Sequence, residues 1–330
     1  MAAITNGMRS FTATVGWRFP ATRLLSSRHP LILVYHGVPR QGREMSAEIF
    51  ERQMLFLKQR FDMVPWEQIG AKRTRRDKVQ VVLTFDDGFR NNAEVVAPIL
   101  RRHRIPAVFF VCSRHAEPGR YLWFSYLRAL EQFFDKEGFL FRGQYFDMAT
   151  SRRHASVAQL WSLLLSLKPH PGAMYEAIEQ ECPRLEKFVS ASRLEDQFAG
   201  MSAEQVKELA TDPCFTIGIH TVDHPFLTKC AGAEIRRQIA VNKAWIEQHT
   251  GRKCELIAYP AGDFNGDVLE SCSDSNLRYG FSVVKRIDGQ GHLQLLRVGV
   301  YRESLDELGF KVRWGHLLTR MQNQGYLLAH

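Results

Sequence analysis

The sequence predicts an α/β fold built on a parallel sheet, and three observations predict it. Short apolar runs alternate with longer amphipathic ones along most of the chain. Ionisable or turn-forming residues stand directly after four of those runs, where parallel α/β folds assemble their sites. The 330 residues, 45% hydrophobic and 24% charged, hold ample material for a sizeable core, and no stretch of about 18 uncharged apolar residues is present to cross a membrane.

The elements follow in order. Leu31–Tyr35 reads as a buried strand closed by His36-Gly37. Ser46–Arg60 carries Ile49, Phe50, Met54, Leu55 and Leu57 at helical spacing. Val79–Phe85 is the next strand, closed by Asp86-Asp87-Gly88. Asn92–Arg104 is helical, with Pro98 expected to kink or shift it. Ala107–Cys112 and Thr216–Ile219 are the third and fourth strands, the latter closed by His220. Glu234–His249 is a helix stopped by Gly251. Leu256–Tyr259, closed by Pro260-Ala261-Gly262, is the fifth strand, and Phe281–Val284 and Leu295–Val300 are further candidates. From about residue 114 to 200 the alternation gives way to aromatic and charged sequence, helical around Leu122–Phe134 and Val157–Leu167. This segment reads as an insertion within one domain spanning 30–316, flanked by a basic arm (1–29) and a tail (317–330).

The net charge is +9, and the first 43 residues contribute six arginines (Arg9, Arg18, Arg23, Arg28, Arg40 and Arg43) and no acid. Interleaved with Met8, Phe11, Val15, Trp17 and Phe19, they fit contact with an anionic membrane surface, a disordered arm or an organelle transit peptide. No zinc-finger or RNA-binding signature accompanies the charge, so no nucleic-acid partner is expected. The six cysteines are scattered without a paired framework and read as free thiols. With no apolar signal core at the N-terminus, the expected setting is cytoplasmic, peripheral to a membrane at most.

Chemistry concentrates at the strand ends. Adjacent carboxylates leaving a strand point in different directions, so one of Asp86 and Asp87 can hold a metal while the other faces a water; a turn or helix cap is the plainer explanation of Asp-Gly. His220 and His224 are four residues apart, which on a helical turn places both imidazoles on one face. Two histidines with a strand-end carboxylate suit a divalent metal that lowers the pKa of a bound water. The Tyr259-Pro260-Ala261-Gly262 turn lets a backbone N–H approach a ligand, where it can steady an oxyanion.

The order and company of these motifs resemble the polysaccharide deacetylases of the NodB-homology group of carbohydrate esterases. TFDDGF (Thr84–Phe89), HTVDH (His220–His224) and AYPAG (Ala258–Gly262) are similar to the family's three successive motifs, and YHGV (Tyr35–Val38) resembles a first-strand signature of one branch; the likeness covers roughly Pro30 to Glu303. The resemblance implies a distorted (β/α)7 barrel, here with a helical insertion, and removal of acetyl groups from an N-acetylated sugar of a polysaccharide or glycolipid precursor. It implies Asp86 as the base that activates a metal-bound water, Asp87, His220 and His224 as metal ligands with zinc expected, and the Tyr259–Gly262 turn as the substrate and oxyanion region, Ala261 supplying the N–H. Two departures stand out. Ala258 occupies the place of an arginine that orients the base, for which Arg297 is the substitute. The family's C-terminal Leu-x-His, which supplies the acid, has no clear counterpart in its usual context, and His36 is preferred for that role over His292 and His316, which lack that context. These departures leave open an alternative, a non-catalytic carbohydrate-binding relative that keeps the barrel and metal site.

Overall fold

The computed structural model of the chain describes residues 30–40, 45–69, 78–283, 291–301 and 304–322; the basic arm, Val284 and the end of the tail lie outside them. Seven parallel strands close on themselves. They are β1 (Leu31–Tyr35), β3 (Gln80–Phe85), β4 (Ala107–Val111), β7 (Phe215–Ile219), β8 (Leu256–Ala258), β9 (Tyr279–Ser282) and β10 (Leu295–Gly299). Each pairs with the next, and β1 closes the ring by pairing with both β3 and β10. A two-residue strand, β2 (Asp62–Met63), pairs with the start of β3, whose second half pairs with β4. The expected (β/α)7 barrel is therefore present.

The strands are buried on both faces, which is why their sequences run apolar without alternation. Period two sorts them nonetheless. Ile32, Val82, Val108, Phe110, Leu256, Ala258 and Phe281 fill the barrel, and the intervening residues, such as Leu33, Leu83, Phe85 and Phe109, meet the surrounding helices in the main core. On the same logic Arg297, paired in register with Ile32, belongs to the barrel's inward face.

The helices include α1 (Ala47–Arg60), capped by Ser46, whose hydroxyl accepts from the Ile49 N–H at 3.3 Å. Next is α2 (Ala97–His103). The expected helix over Asn92–Arg104 is split, because residues 92–96 form a π turn and Pro98 sits in the first turn of α2. The wide turn supplies the adjustment that Pro98, with no N–H and a bulky ring, demands of the chain before it.

Between β4 and β7 lie α3 (Trp123–Phe133), a hairpin of β5 (Gly138–Phe141) and β6 (Gln144–Asp147), α4 (Arg153–Ser166), α5 (Gly172–Glu181), α6 (Ala191–Gln197) and α7 (Ala203–Thr211). Residues 123–198 share a second hydrophobic core. The antiparallel hairpin was not expected from the sequence; its two-residue turn, Arg142-Gly143, has both φ values positive (51° and 76°), as tight hairpins require. The barrel resumes with α8 (Gly232–Thr250), ended by Gly251 at φ 65°, then α9 (Gly266–Asp274) and finally α10 (Leu305–Gln322). Among the described residues no helix is long and apolar enough to cross a membrane, and all six cysteines are unpaired.

Candidate metal and catalytic site

The site is built where β3 and β7 end. The Asp86 N–H still donates to the Tyr35 carbonyl (3.0 Å), so Asp86 continues the strand and keeps its inward direction. Asp87 and Gly88 then turn the chain with φ of 73° each. At Gly88 the reversal leaves no room for a side chain, since a Cβ would meet Val111 at 2.9 Å. Strained backbone recurs at Thr221 (67°), His224 (51°) and Ala261 (53°), all in the loops of this one end of the barrel. Such conformations persist where the surroundings over-determine them, as at functional sites.

His220 and His224 converge, but not on a helical turn as the spacing alone predicts. The segment is an irregular loop in which the left-handed Thr221 and His224 bend the chain back. Gln238 of α8 holds it, its Oε1 accepting from the N–H groups of Val222 and Asp223 at 2.9 Å each, while Asn242, one turn on, accepts from His220 N–H at 3.0 Å. The buried Asp223 carboxylate ties the loop to Arg237 (2.8 Å) and to Gln238 (2.6 Å). From the insertion, Trp123 donates its indole N–H to the His224 carbonyl at 2.9 Å, and the Tyr175 hydroxyl donates to that of Asp223 at 3.0 Å.

The outcome is a cluster. Nε2 of His220 and Nε2 of His224 each stand 3.4 Å from Asp87 Oδ1, and one ligand atom from each residue lies within 4.8 Å of the others. His220 Nδ1 is 2.8 Å from the Ala258 carbonyl, which fixes the proton on that nitrogen and leaves the Nε2 lone pair facing the cluster. Both Asp87 oxygens are buried without a hydrogen-bond partner. A buried carboxylate facing imidazole lone pairs is costly on its own, and a divalent cation satisfies all three groups at once. The donor set therefore fits a metal. Burial raises the Asp87 carboxyl pKa, but its contact with His220 and the nearby His36 and His224 outweigh that and hold it well below the usual range. Burial also pushes His224 down to about 3, keeping its imidazole neutral, the form that ligates.

Asp86 lies alongside, Oδ2 3.9 Å from His220 Nε2. Arg297, 2% exposed, grips it with two parallel bonds, Nη1 to Oδ1 at 2.7 Å and Nη2 to Oδ2 at 2.6 Å. Nη1 also reaches Thr84 Oγ1 (3.1 Å), whose hydroxyl donates to the Leu33 carbonyl (2.9 Å). Burial raises the Asp86 pKa, but the guanidinium charge overcomes it and the carboxyl is held below its ordinary value. Arg297 thus holds Asp86 from β10, while Ala258 itself fills the barrel.

A profile described as polysaccharide deacetylase matches residues 73–132 and 175–280. The chain belongs to the polysaccharide deacetylase family. That membership places it among the hydrolases that deacetylate glycans. No curated protein matches the chain in sequence. Among solved structures it is similar to IcaB from Ammonifex degensii (19% identity, TM-score 0.56, covering 87% of this chain and 98% of that one). It is also similar to the Streptococcus pyogenes deacetylase PplD in complex with acetate (17%, 0.54, 86% and 97%). A de-N-acetylase from Aggregatibacter actinomycetemcomitans is a third (16%, 0.51, 83% and 95%). At these identities the likeness speaks for the fold.

His36, after β1, is half-buried and stacks on Tyr301 (centroids 5.7 Å apart, planes at 23°), with its Nδ1 buried and unpartnered. Tyr259 points into the core. Its hydroxyl donates to the Leu293 carbonyl (2.9 Å) and its N–H to Phe281 (3.0 Å), so neither faces a substrate. Pro260 and Gly262 are buried. Ala261 is exposed, and its N–H has no hydrogen-bond acceptor among the described residues. His292 precedes β10 and so lies at the opposite, amino end of the barrel; the side chain of His316 lies outside the described residues.

Residues that motif spacing missed include Gln238 and Asn242, whose only signal is two polar residues one turn apart on a helix face that is otherwise apolar, and Phe124, whose ring lies 4.7 Å from that of His224. His170, 3% exposed, also escaped notice: its Nε2 accepts the Phe226 N–H at 3.2 Å just beyond the histidine loop. Burial, with Lys168 and Lys229 nearby, lowers its pKa to about 4. Below about pH 6.5 the unfolded chain takes up a proton that the folded one refuses, so His170 makes stability fall as pH drops from there toward 4. The urea midpoint of the wild type should therefore decline more steeply between about pH 6.5 and 4.5 than that of His170→Gln, which keeps an acceptor and cannot titrate; equal slopes would remove His170 from the account.

Proposed function

We propose that this chain hydrolyses the acetamide of an N-acetylated sugar in a polysaccharide or glycolipid precursor, with a divalent cation, zinc by its donor set, held by Asp87, His220 and His224. The observation that carries the reading is the convergence of those three groups beside an aspartate clamped by a buried arginine. A cation bound there supplies a Lewis acid that polarises an acetyl oxygen and acidifies a water. The protein's own groups do the rest. Asp86, kept ionised by Arg297, accepts the proton of the attacking water. The N–H of the exposed Ala261 donates to the negative charge that grows on the acetyl oxygen. His36 gives a proton to the departing amine as the C–N bond breaks, and acetate and the free amino sugar leave. The clamp on Asp86 favours this reading over a binding protein without chemistry, since it restores the arginine that Ala258 removes.

The test is incubation with N-acetylated and O-acetylated oligosaccharides, quantifying acetate and new primary amine. Equal acetate and amine from the N-acetylated set is the expected result; binding without release of either would support the non-catalytic alternative. The setting we infer from the basic arm is the cytoplasmic face of a membrane. Each arginine near anionic lipid contributes about 1 kcal/mol, so deleting residues 1–28 should weaken sedimentation with phosphatidylserine vesicles. Unchanged sedimentation would assign the arm to targeting or disorder.

A further inference from the structure

β1 and β10 run side by side, Ile32 opposite Arg297 and Val34 opposite Gly299. The ladder continues past both strands, since the Val300 N–H donates to the Val34 carbonyl at 2.9 Å. Counted by twos, His36 therefore follows Ile32 and Val34, and Tyr301 follows Arg297 and Gly299, in neighbouring inward rows. Their rings meet where that register puts them, with centroids 5.7 Å apart and planes 23° from parallel, an offset stack. β10 makes room for it. A Cβ at Gly299 would stand 2.6 Å from Tyr301 Cε2 and 2.8 Å from its hydroxyl, so the tyrosine folds back over a position that only glycine leaves free. Lys311 of α10 donates to the Gly299 carbonyl at 2.8 Å, and its ammonium lies 5.9 Å from the centre of the tyrosine ring. His36 is otherwise held by its backbone, where the buried Asn92 donates to its carbonyl at 3.1 Å. Among the described residues no hydrogen bond holds the imidazole, and its Nδ1 is buried and unpartnered. The stack is the directional contact available to set the rotation of that ring.

We propose that Tyr301 is a positioning residue for the acid of the reaction: its ring holds the His36 imidazole in the orientation from which a proton reaches the departing amine. A general acid works only within hydrogen-bond reach of the atom it protonates, and an imidazole without a brace samples several rotamers. Tyr301 itself exchanges no proton. β10 then serves both groups that handle protons, Arg297 clamping Asp86 and Tyr301, further along the same row, bracing His36. This inference rests on the deacetylase reading above, and within it on His36 as the acid.

The experiment compares the wild type, Tyr301→Leu, Tyr301→Phe and His36→Ala, each supplied with zinc, on a β-1,4-linked tetramer of N-acetylglucosamine. p-Nitrophenyl acetate, whose leaving group departs without a proton, is the second substrate. Tyr301 is 47% exposed, so leucine there leaves the core undisturbed. Tyr301→Leu should lower kcat on the tetramer by about 2–12-fold, the range of one aromatic contact, with KM and the ester rate unchanged. Tyr301→Phe should recover most of that loss. His36→Ala should lose about 10²–10⁴-fold on the same amide. Wild-type kcat in Tyr301→Leu, equal losses on amide and ester, or a rise in KM alone would overturn the brace, the last because it would make the ring a contact of the substrate. Full amide turnover by His36→Ala would overturn the acid and its brace together and leave the deacetylase reading intact. A wild type that releases no acetate from the tetramer would overturn that reading, and the brace with it.

Discussion

Asp86→Asn should lower acetate release by about 10²–10⁴-fold, the usual contribution of one positioned base, while the cation still binds at Asp87, His220 and His224. An amide has the size of the carboxylate and still accepts one bond from Arg297, but it cannot take a proton from water. The same change strips Arg297 of its counter-charge inside the barrel, where the guanidinium is 2% exposed. The complementary Arg297→Met leaves Asp86 buried and unpaired, and breaking such a pair costs about 3–5 kcal/mol. It should also raise the Asp86 pKa, since the guanidinium is the main influence opposing burial. Activity should then be lost toward low pH sooner than in the wild type. Combining Asp86→Asn with Arg297→Met should recover part of the stability and none of the activity, because an apolar partner no longer faces a buried charge. A double variant as unstable as the sum of the singles would show that the two residues do not act as a pair.

Asp87→Asn should cost more still. It removes the one anionic ligand of the cluster, and even outer partners of metal ligands are worth about 10–100-fold in affinity, so retention should fall beyond that range. Asparagine adopts the left-handed backbone that position 87 requires more readily than alanine does. In the metal-free protein the substitution should also lower stability near neutral pH, because contact with His220 and the nearby His36 and His224 hold the Asp87 carboxyl below its usual pKa and the fold thus favours its charge. Thermal unfolding separates these effects. Added zinc should raise the wild-type melting temperature by mass action and leave Asp87→Asn unmoved. An equal rise in both would place the cation elsewhere.

Much of this was legible in the sequence because the barrel keeps its chemistry at strand ends, where a polar residue after an apolar run stands out. Asp86, Asp87, His220 and His224 declared themselves that way. The two histidines converge as their spacing suggested, but on a loop and not on a helical turn, since no sequence pattern announced the left-handed Thr221 and His224. Arg297 could be offered only as a substitute on a late strand. That it faces inward, two rows below the site, depends on the register of β10 against β1. The insertion was least legible. Its hairpin is four residues a side, and its Arg-Gly turn is a weak signal within charged sequence. The nearness of Phe124 to His224 joins residues 100 positions apart, a separation that only the folded chain closes.

The central claim is that the Asp87, His220 and His224 cluster holds a cation that, with Asp86, cleaves an acetamide. The measurement that bears on it most directly is acetate release from the N-acetylglucosamine tetramer by the wild type as purified, after exhaustive chelation, and after return of one equivalent of zinc, with Asp86→Asn carried alongside. The account predicts release that disappears on chelation, returns with zinc, and stays low throughout in Asp86→Asn. Release that survives chelation, or full turnover by Asp86→Asn with zinc restored, would contradict it.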